Sequence, residues 1–278
     1  MITRFKKFFL LALVSCAFVL VTAHEAGAVR VSLKRIVFEG NKRFEVLTII
    51  NNTAKPQTYR LGWRKYRMDE DKSLQAIAED ETSDDILWAD DMVRFAPRRV
   101  SIPAGGSQQV RLLFKRSADL KEAEYRSHLW IVSEAKPDQF VLKQDNDQQS
   151  IRLSIQPALS LPVFVRNGNL TAEANLTNAR LYTKEGVMHT SFTLNREGTK
   201  SLYGDLDLVC VDGGQDVVLK QVKGLAVYTE INKRNFDYEV PFDAVEINSC
   251  QNVKILFKAD VEDPQLKGAV MAETTASF

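Results

Sequence analysis

The chain has 278 residues, 45% hydrophobic and 26% charged, with 13 Gly, 8 Pro and 3 Cys. That is ordinary globular composition, and it excludes a disordered, collagen-like or multispan membrane protein. A formal net charge of +1 supplies no electrostatic reason to bind nucleic acid, and none is expected as a partner.

The first element predicted is a targeting segment. Arg4, Lys6 and Lys7 form a basic head, residues 8–21 are a nearly continuous apolar run, and Ala26-Gly27-Ala28 follows with small residues. This layout predicts a secretory signal peptide over 1–28, cleaved after Ala28. Two other readings stay open. One is an uncleaved anchor, although the run is short for a membrane span. The other is a lipoprotein site at Leu13-Val14-Ser15-Cys16, although the apolar run continues past Cys16. The mature chain of 250 residues then keeps two cysteines, Cys210 and Cys250, and two histidines, His128 and His189. Outside the reducing cytosol such a cysteine pair predicts a disulfide rather than a metal site or a nucleophile.

From Val29 onward the dominant period is two. Apolar residues alternate at Val29, Val31 and Leu33, at Phe44 and Val46, at Tyr59, Leu61 and Trp63, at Val110, Leu112 and Phe114, and at Leu129 and Ile131. The longest alternation takes every second residue from Ile151 to Val165. Further strand patterns cover 190–194, 206–209, 217–219 and 253–257. Turn signals separate them, among them Glu39-Gly40-Asn41, Pro103-Ala104-Gly105-Gly106, Asn167-Gly168-Asn169 and Asp212-Gly213-Gly214. Many short strands at regular spacing predict an all-β fold of sandwiches or barrels. No long stretch keeps a helical period, and 73–78 comes nearest. The best break is at 166–169, which divides the mature chain into 29–166 and 167–278, each close in length to an Ig-like sandwich. Residues 69–91 hold ten acids and one base, Lys72, with Arg60, Arg64, Lys65 and Arg67 before them and Arg94, Arg98 and Arg99 after. This reads as a solvated loop whose acids face neighbouring bases, or as an insertion that faces a partner.

The signatures of catalysis are missing from the sequence. There is no Gly-x-Ser-x-Gly elbow, no phosphate-binding glycine loop, and no Cys-x-x-Cys or His-Glu-x-x-His. The reading is a protein that is not an enzyme, with no cofactor, no metal and no small-molecule substrate.

Three stretches resemble the periplasmic chaperones of the chaperone–usher pilus pathway, the PapD-like family. The first is Val31-Ser-Leu-Lys-Arg35-Ile-Val-Phe-Glu-Gly40, followed by Leu47-Thr-Ile-Ile-Asn-Asn52 and Tyr59-Arg-Leu-Gly-Trp63. The second is Phe95-Ala-Pro-Arg-Arg-Val-Ser-Ile-Pro-Ala-Gly105-Gly-Ser-Gln-Gln-Val-Arg111-Leu. The third is Glu124-Tyr-Arg126-Ser-His-Leu-Trp130 with the later run Ile151 to Val165. Together they span 29–166; the remainder fits a second Ig-like domain by length and strand pattern only.

The resemblance implies two Ig-like β-sandwich domains arranged at an angle and a location in the periplasm. It implies pilus, fimbrial or coat-like subunits and an outer-membrane usher as partners. The subunit site would comprise Arg35 and a donor strand carrying Ile151, Leu153 and Ile155. These three alternate with Arg152, Ser154 and Gln156, so they fill either a client groove or the protein's own core. Two positions depart from the family and mark a divergent member. Pro162 stands where the family carries a Lys that completes the carboxylate anchor with Arg35, leaving Arg35 alone or with Arg166. Arg126 stands where many members carry a Glu that pairs with an Arg at the domain junction. The alternative function is an exported Ig-like structural or adhesive surface protein.

Overall fold

The structure, a computed structural model, describes residues 29–72, 74–78, 81, 83, 85–134, 138–143, 150–212, 215–240, 250, 252–263 and 265–278. The side chains of 138–143, 150–155, 212 and 215 lie outside the described residues, as does the predicted signal peptide over 1–28. Every regular element described is a strand.

The strands up to residue 167 are β1 (Val29–Val31), β2 (Ile36–Phe38), β3 (Phe44–Asn51), β4 (Gln57–Arg64), β5 (Tyr66–Arg67), β6 (Gln75–Ala76), β7 (Val93–Ala96), β8 (Arg99–Ile102), β9 (Ser107–Phe114), β10 (Ala123–Ser133), β11 (Asp138–Lys143), β12 (Ser150–Ile155) and β13 (Ala158–Asn167). They build a sandwich of two sheets, ordered β1-β3-β9-β7 and β2-β13-β10-β4-β8. The chain crosses from one sheet to the other between β1 and β2, and β2 runs parallel to β13. The period-two residues meet between the sheets. Leu47 and Ile49, Val110, Leu112 and Phe114, Leu129 and Ile131, and Leu161, Val163 and Val165 share one core cluster. Each buried side chain of this size contributes about 1.5–3 kcal/mol relative to exposure, so the alternation sets which face each strand turns inward.

The second sandwich follows with β14 (Ala172–Lys184), β15 (Val187–Gly198), β16 (Leu202–Asp212), β17 (Gln215–Val227), β18 (Lys233–Glu239), β19 (Asn252–Ala259) and β20 (Val270–Ser277). Its sheets are β14-β15-β18 and β17-β16-β19-β20. Among the described residues no sheet pairs a strand from the first group with one from the second. Gly168, at φ +91°, turns the chain between β13 and β14, and a Cβ there would lie 2.0 Å from the Glu122 side chain. Cys210 on β16 and Cys250 form the expected disulfide, buried in the second core with Cα atoms 5.7 Å apart.

The structure departs from the alternation in three places. The run from 151 to 165 is two strands, not one, because it is interrupted at Gln156-Pro157; proline has no N–H to give to a ladder. Strands β14 and β20 carry no clear period in the sequence, and β18, where Phe236 and Tyr238 do alternate with polar residues, is not among the predicted strands. In β14 the buried residues are Leu176 and Leu181, five apart, because a bulge at 177–180 with Asn178 at φ 56° shifts the register. The stretch nearest to a helical pattern contains β6 instead, paired with β5.

Candidate functional site

The predicted donor-strand region is an extension of the β10–β13 pair. β10 and β13 pair antiparallel as far as Val132 opposite Ala158, and the same two chain segments pair again as β11 and β12, from Asp138 opposite Ile155 to Lys143 opposite Ser150. β11 and β12 form a two-stranded ribbon of their own, outside both sheets of the sandwich. Among the described residues β12 has no strand on its other edge. The same edge continues into β13, where β2 pairs only with 163–165 and leaves 158–162 uncovered. An uncovered edge presents backbone N–H and C=O groups ready to pair with another chain. The predicted residues Ile151, Leu153 and Ile155 all lie on β12, and their side chains fall outside the described residues.

Arg35 sits at the crossing between β1 and β2. Its guanidinium lies over the Tyr203 ring, Cζ 4.1 Å from the centroid, and one nitrogen is 3.9 Å from Asp263 Oδ2. The side chain is 13% exposed. It lines a cleft of about 500 Å³ between the sandwiches together with Arg166. The structure therefore brings Arg35 and Arg166 to one cleft. Arg166 is already engaged: its Nε donates to Glu124 Oε2 at 2.8 Å, and Nη1 is 3.5 Å from Glu39. Among the described residues the one carboxylate paired with Arg35 is the more distant Asp263, beside its stacking on Tyr203, so it is less committed to ion pairs than Arg166. Pro162 lines a different cavity, in which Lys34 is the nearby base from the same crossing segment.

The second parity of β10 and β13 makes the junction. Leu129 and Ile131 face the first core, and Glu124, Arg126 and His128 lie on the opposite face yet are buried. Opposite them across the pair stand Arg166, Phe164 and Pro162. The second sandwich covers this face. Arg126 Nη2 bonds Glu230 Oε1 at 2.7 Å, with the two side chains 3% and 1% exposed. The Arg126 guanidinium also lies 3.8 Å from the Tyr228 ring centroid and donates to the Tyr66 carbonyl at 2.9 Å. Glu124 accepts from the Ser201 backbone N–H and from its hydroxyl. Met68, Phe164, Ala226 and Tyr228 pack as a small apolar cluster beside these pairs. At position 126, where a Glu was the family expectation, the junction uses an Arg and receives a Glu from the other side. Sequence reasoning missed Glu230 and Tyr228. The signal present was the alternation of Glu124, Arg126 and His128 on a strand whose other face is core.

Among its described residues the acidic segment meets bases at Asp85, Asp90 and Glu70, and the second sandwich at Glu70 and Asp71. Arg67 and Asp85 form a two-bonded pair, which holds the Asp85 carboxyl below its ordinary pKa and raises that of Arg67. Lys65 lies 3.9 Å from Asp90. Further along, Met68 N–H donates to Glu230, the Asn235 N–H donates to the Glu70 carbonyl, and Asn235 Nδ2 donates to Asp71. Lys233 reaches Glu70 at 3.4 Å. The segment thus runs from the first sandwich onto β18 of the second.

No protein-family model matches the chain, and no curated protein sequence does. Solved structures do align with it. The CsuC–CsuE chaperone–tip subunit pre-assembly complex of Acinetobacter baumannii Csu pili aligns at 12% identity, over 90% of this chain and 98% of that one, with a TM-score of 0.45. The CupB2 chaperone of Pseudomonas aeruginosa aligns at 13% identity, over 90% of this chain and 100% of that one, with a TM-score of 0.42. The E. coli chaperone DraB aligns at 13% identity, over 91% and 97%, also with a TM-score of 0.42. These are likenesses of fold.

Proposed function

We propose that this protein is a non-enzymatic periplasmic chaperone for pilus, fimbrial or coat-like subunits, which it caps by donating a strand and hands to an outer-membrane usher. The observation that carries the reading is the uncovered edge formed by β12 and residues 158–162 of β13, on a ribbon that extends beyond its own sandwich. A client sandwich that lacks one strand has a hydrophobic groove and bare edges. β12 would supply the missing backbone hydrogen bonds, and Ile151, Leu153 and Ile155 would fill the groove at alternate positions. Arg35, which immediately precedes the β2 strand paired with 163–165 of β13, would hold a client carboxylate. The domains of the mature chain are 29–166 and 167–278, after removal of 1–28.

Replacing Leu153 and Ile155 together with Ser tests the assignment. The expected outcome is an unchanged melting temperature of the free protein with loss of client from the periplasmic complex. Each apolar side chain withdrawn from the groove removes about 1.5–3 kcal/mol of complex stability. A large fall in melting temperature, with client recovery merely following protein level, would assign these residues to the protein's own core and overturn the proposal.

A further inference from the structure

A second cavity, of about 490 Å³, lies between the sandwiches on the outer face of β10 and β13. Its size and position at a domain interface suit a small-molecule site. Its walls are planar and apolar: the rings of Tyr66, Tyr203 and Tyr228 and the side chain of Met68. Its polar groups come from both sandwiches. His128 is 1% exposed, and among the described residues neither ring nitrogen has a hydrogen-bond partner; the Ser160 hydroxyl beside it is buried and unpartnered as well. Buried polar groups are almost always hydrogen-bonded, so three orphaned atoms lining one cavity call for an occupant. Burial, reinforced by the Arg126 charge, pushes the His128 pKa down to about 3, so the ring is neutral and offers one donor and one acceptor.

Among the described residues two cations line the cavity and no carboxylate does. Lys34 is half-exposed and lies 3.5 Å from Asp260. Arg234 is partly buried; one of its nitrogens donates to the Ala226 carbonyl at 3.1 Å, and its guanidinium lies 4.9 Å from the Phe236 ring centroid. Burial lowers its pKa, and the groups opposing that fall are the tyrosines 238 and 228, not a carboxylate. Among the described residues this guanidinium has no ion-pair partner, although it also borders a pocket lined by Asp71 and Asp237, and a carboxylate in the cavity fits it in two-bonded geometry.

We propose that this cavity binds a small aromatic carboxylate, its ring between the tyrosines, its anionic group at Arg234 and a polar ring substituent at His128 and Ser160. The ligand is bound and not transformed, and it touches both sandwiches, so it stabilises their docking by mass action. Ser160 and Pro162 of its lining also belong to residues 158–162 of the uncovered edge, so the site adjoins that edge, but the binding proposed here does not depend on strand donation.

The test uses the mature protein and 3-(4-hydroxyphenyl)propanoate, with its neutral primary amide and acetate as comparison probes. Calorimetry and thermal unfolding should detect the propanoate binding at sub-millimolar concentration, and affinity for the amide should be weaker by about tenfold or more, the range of a lost charge-assisted bond. Acetate should not raise the melting temperature. Arg234→Gln should lose the propanoate by a similar factor, and Arg234→Lys should recover part of it. As a readout independent of any variant's folding, the His128 ring nitrogens should shift in ¹⁵N NMR on adding the propanoate to the wild type. No binding by about 10 mM, equal binding of acid and amide, or unmoved His128 nitrogens would overturn the proposal and leave a water-filled cleft.

Discussion

The proposed function gives Arg35 the part of a client anchor, and burial sets the behaviour of His128. The ion pair of Arg35 with Asp263 is loose, at 3.9 Å, so releasing it to a client carboxylate costs little, and a new charge-assisted bond is worth about 1.5–3 kcal/mol. Arg35→Ala should therefore reduce the amount of client that co-purifies, and Arg152→Ala, on the polar parity of β12, should leave it unchanged; equal yields would remove the anchor role. For His128 the sign follows from its depressed pKa. Above pH 6.5 both the folded and unfolded imidazole are neutral. As pH falls from 6.5 toward 3, the unfolded chain takes up a proton that the folded ring refuses, so stability is lost across that window, by roughly 5 kcal/mol at the full shift. His128→Gln should flatten the dependence of denaturant-measured stability on pH between 6.5 and 4. Parallel curves for variant and wild type would contradict this account.

At the scale of elements, one strand pair does two jobs. β10 and β13 give Leu129, Ile131, Leu161, Val163 and Val165 to the first core and turn Glu124, Arg126, His128 and Arg166 toward the second sandwich. Past Pro157 the same pair leaves both sheets as the β11–β12 ribbon, and its edge is uncovered among the described residues. The acidic segment between β5 and β7 is a strap onto β18, and its charges are not what holds it. The pair of Glu70 and Lys233 is 42% and 50% exposed, and such surface pairs contribute about 0–1 kcal/mol. Met68, 3% exposed in the apolar cluster with Phe164, Ala226 and Tyr228, contributes more by burial. Met68→Ala should cost about 2–5 kcal/mol and Lys233→Ala less than about 1 kcal/mol, read by denaturant unfolding. The reverse order would make the strap electrostatic.

Over the whole molecule, two separately cored sandwiches are joined by a buried, partly ionic junction. The pair of Arg126 and Glu230 gives that junction direction more than strength, since burying two charges costs much of what their attraction returns. The Cys210–Cys250 disulfide closes a loop of 40 residues within the second sandwich, worth about 3–4 kcal/mol in the chain-entropy model. Reduction should lower the stability of the second sandwich and leave the first nearly unchanged, measured by hydrogen exchange of β16 and β19 against β9 and β10. Equal loss in both would mean that the sandwiches unfold as one unit.

The all-β class, the disulfide partners and the inward faces of most first-sandwich strands were legible in the sequence. Period-two alternation is a local consequence of the pleat, and once Cys16 is assigned to the expected signal peptide the two other cysteines allow one pairing. β14 was not legible, because its bulge breaks the period that marks a strand. The junction was decided by tertiary structure alone. The sequence marks Arg126 as a departure at the family's junction position, but its partner Glu230 lies 104 residues away on the other sandwich, and no local pattern encodes that meeting. The same holds for Arg35 and Pro162. Their types are visible in the chain, but only the docking of the second sandwich against the β1–β2 crossing and the outer face of β13 places them in separate cavities, because which face of a sheet becomes buried depends on what docks there.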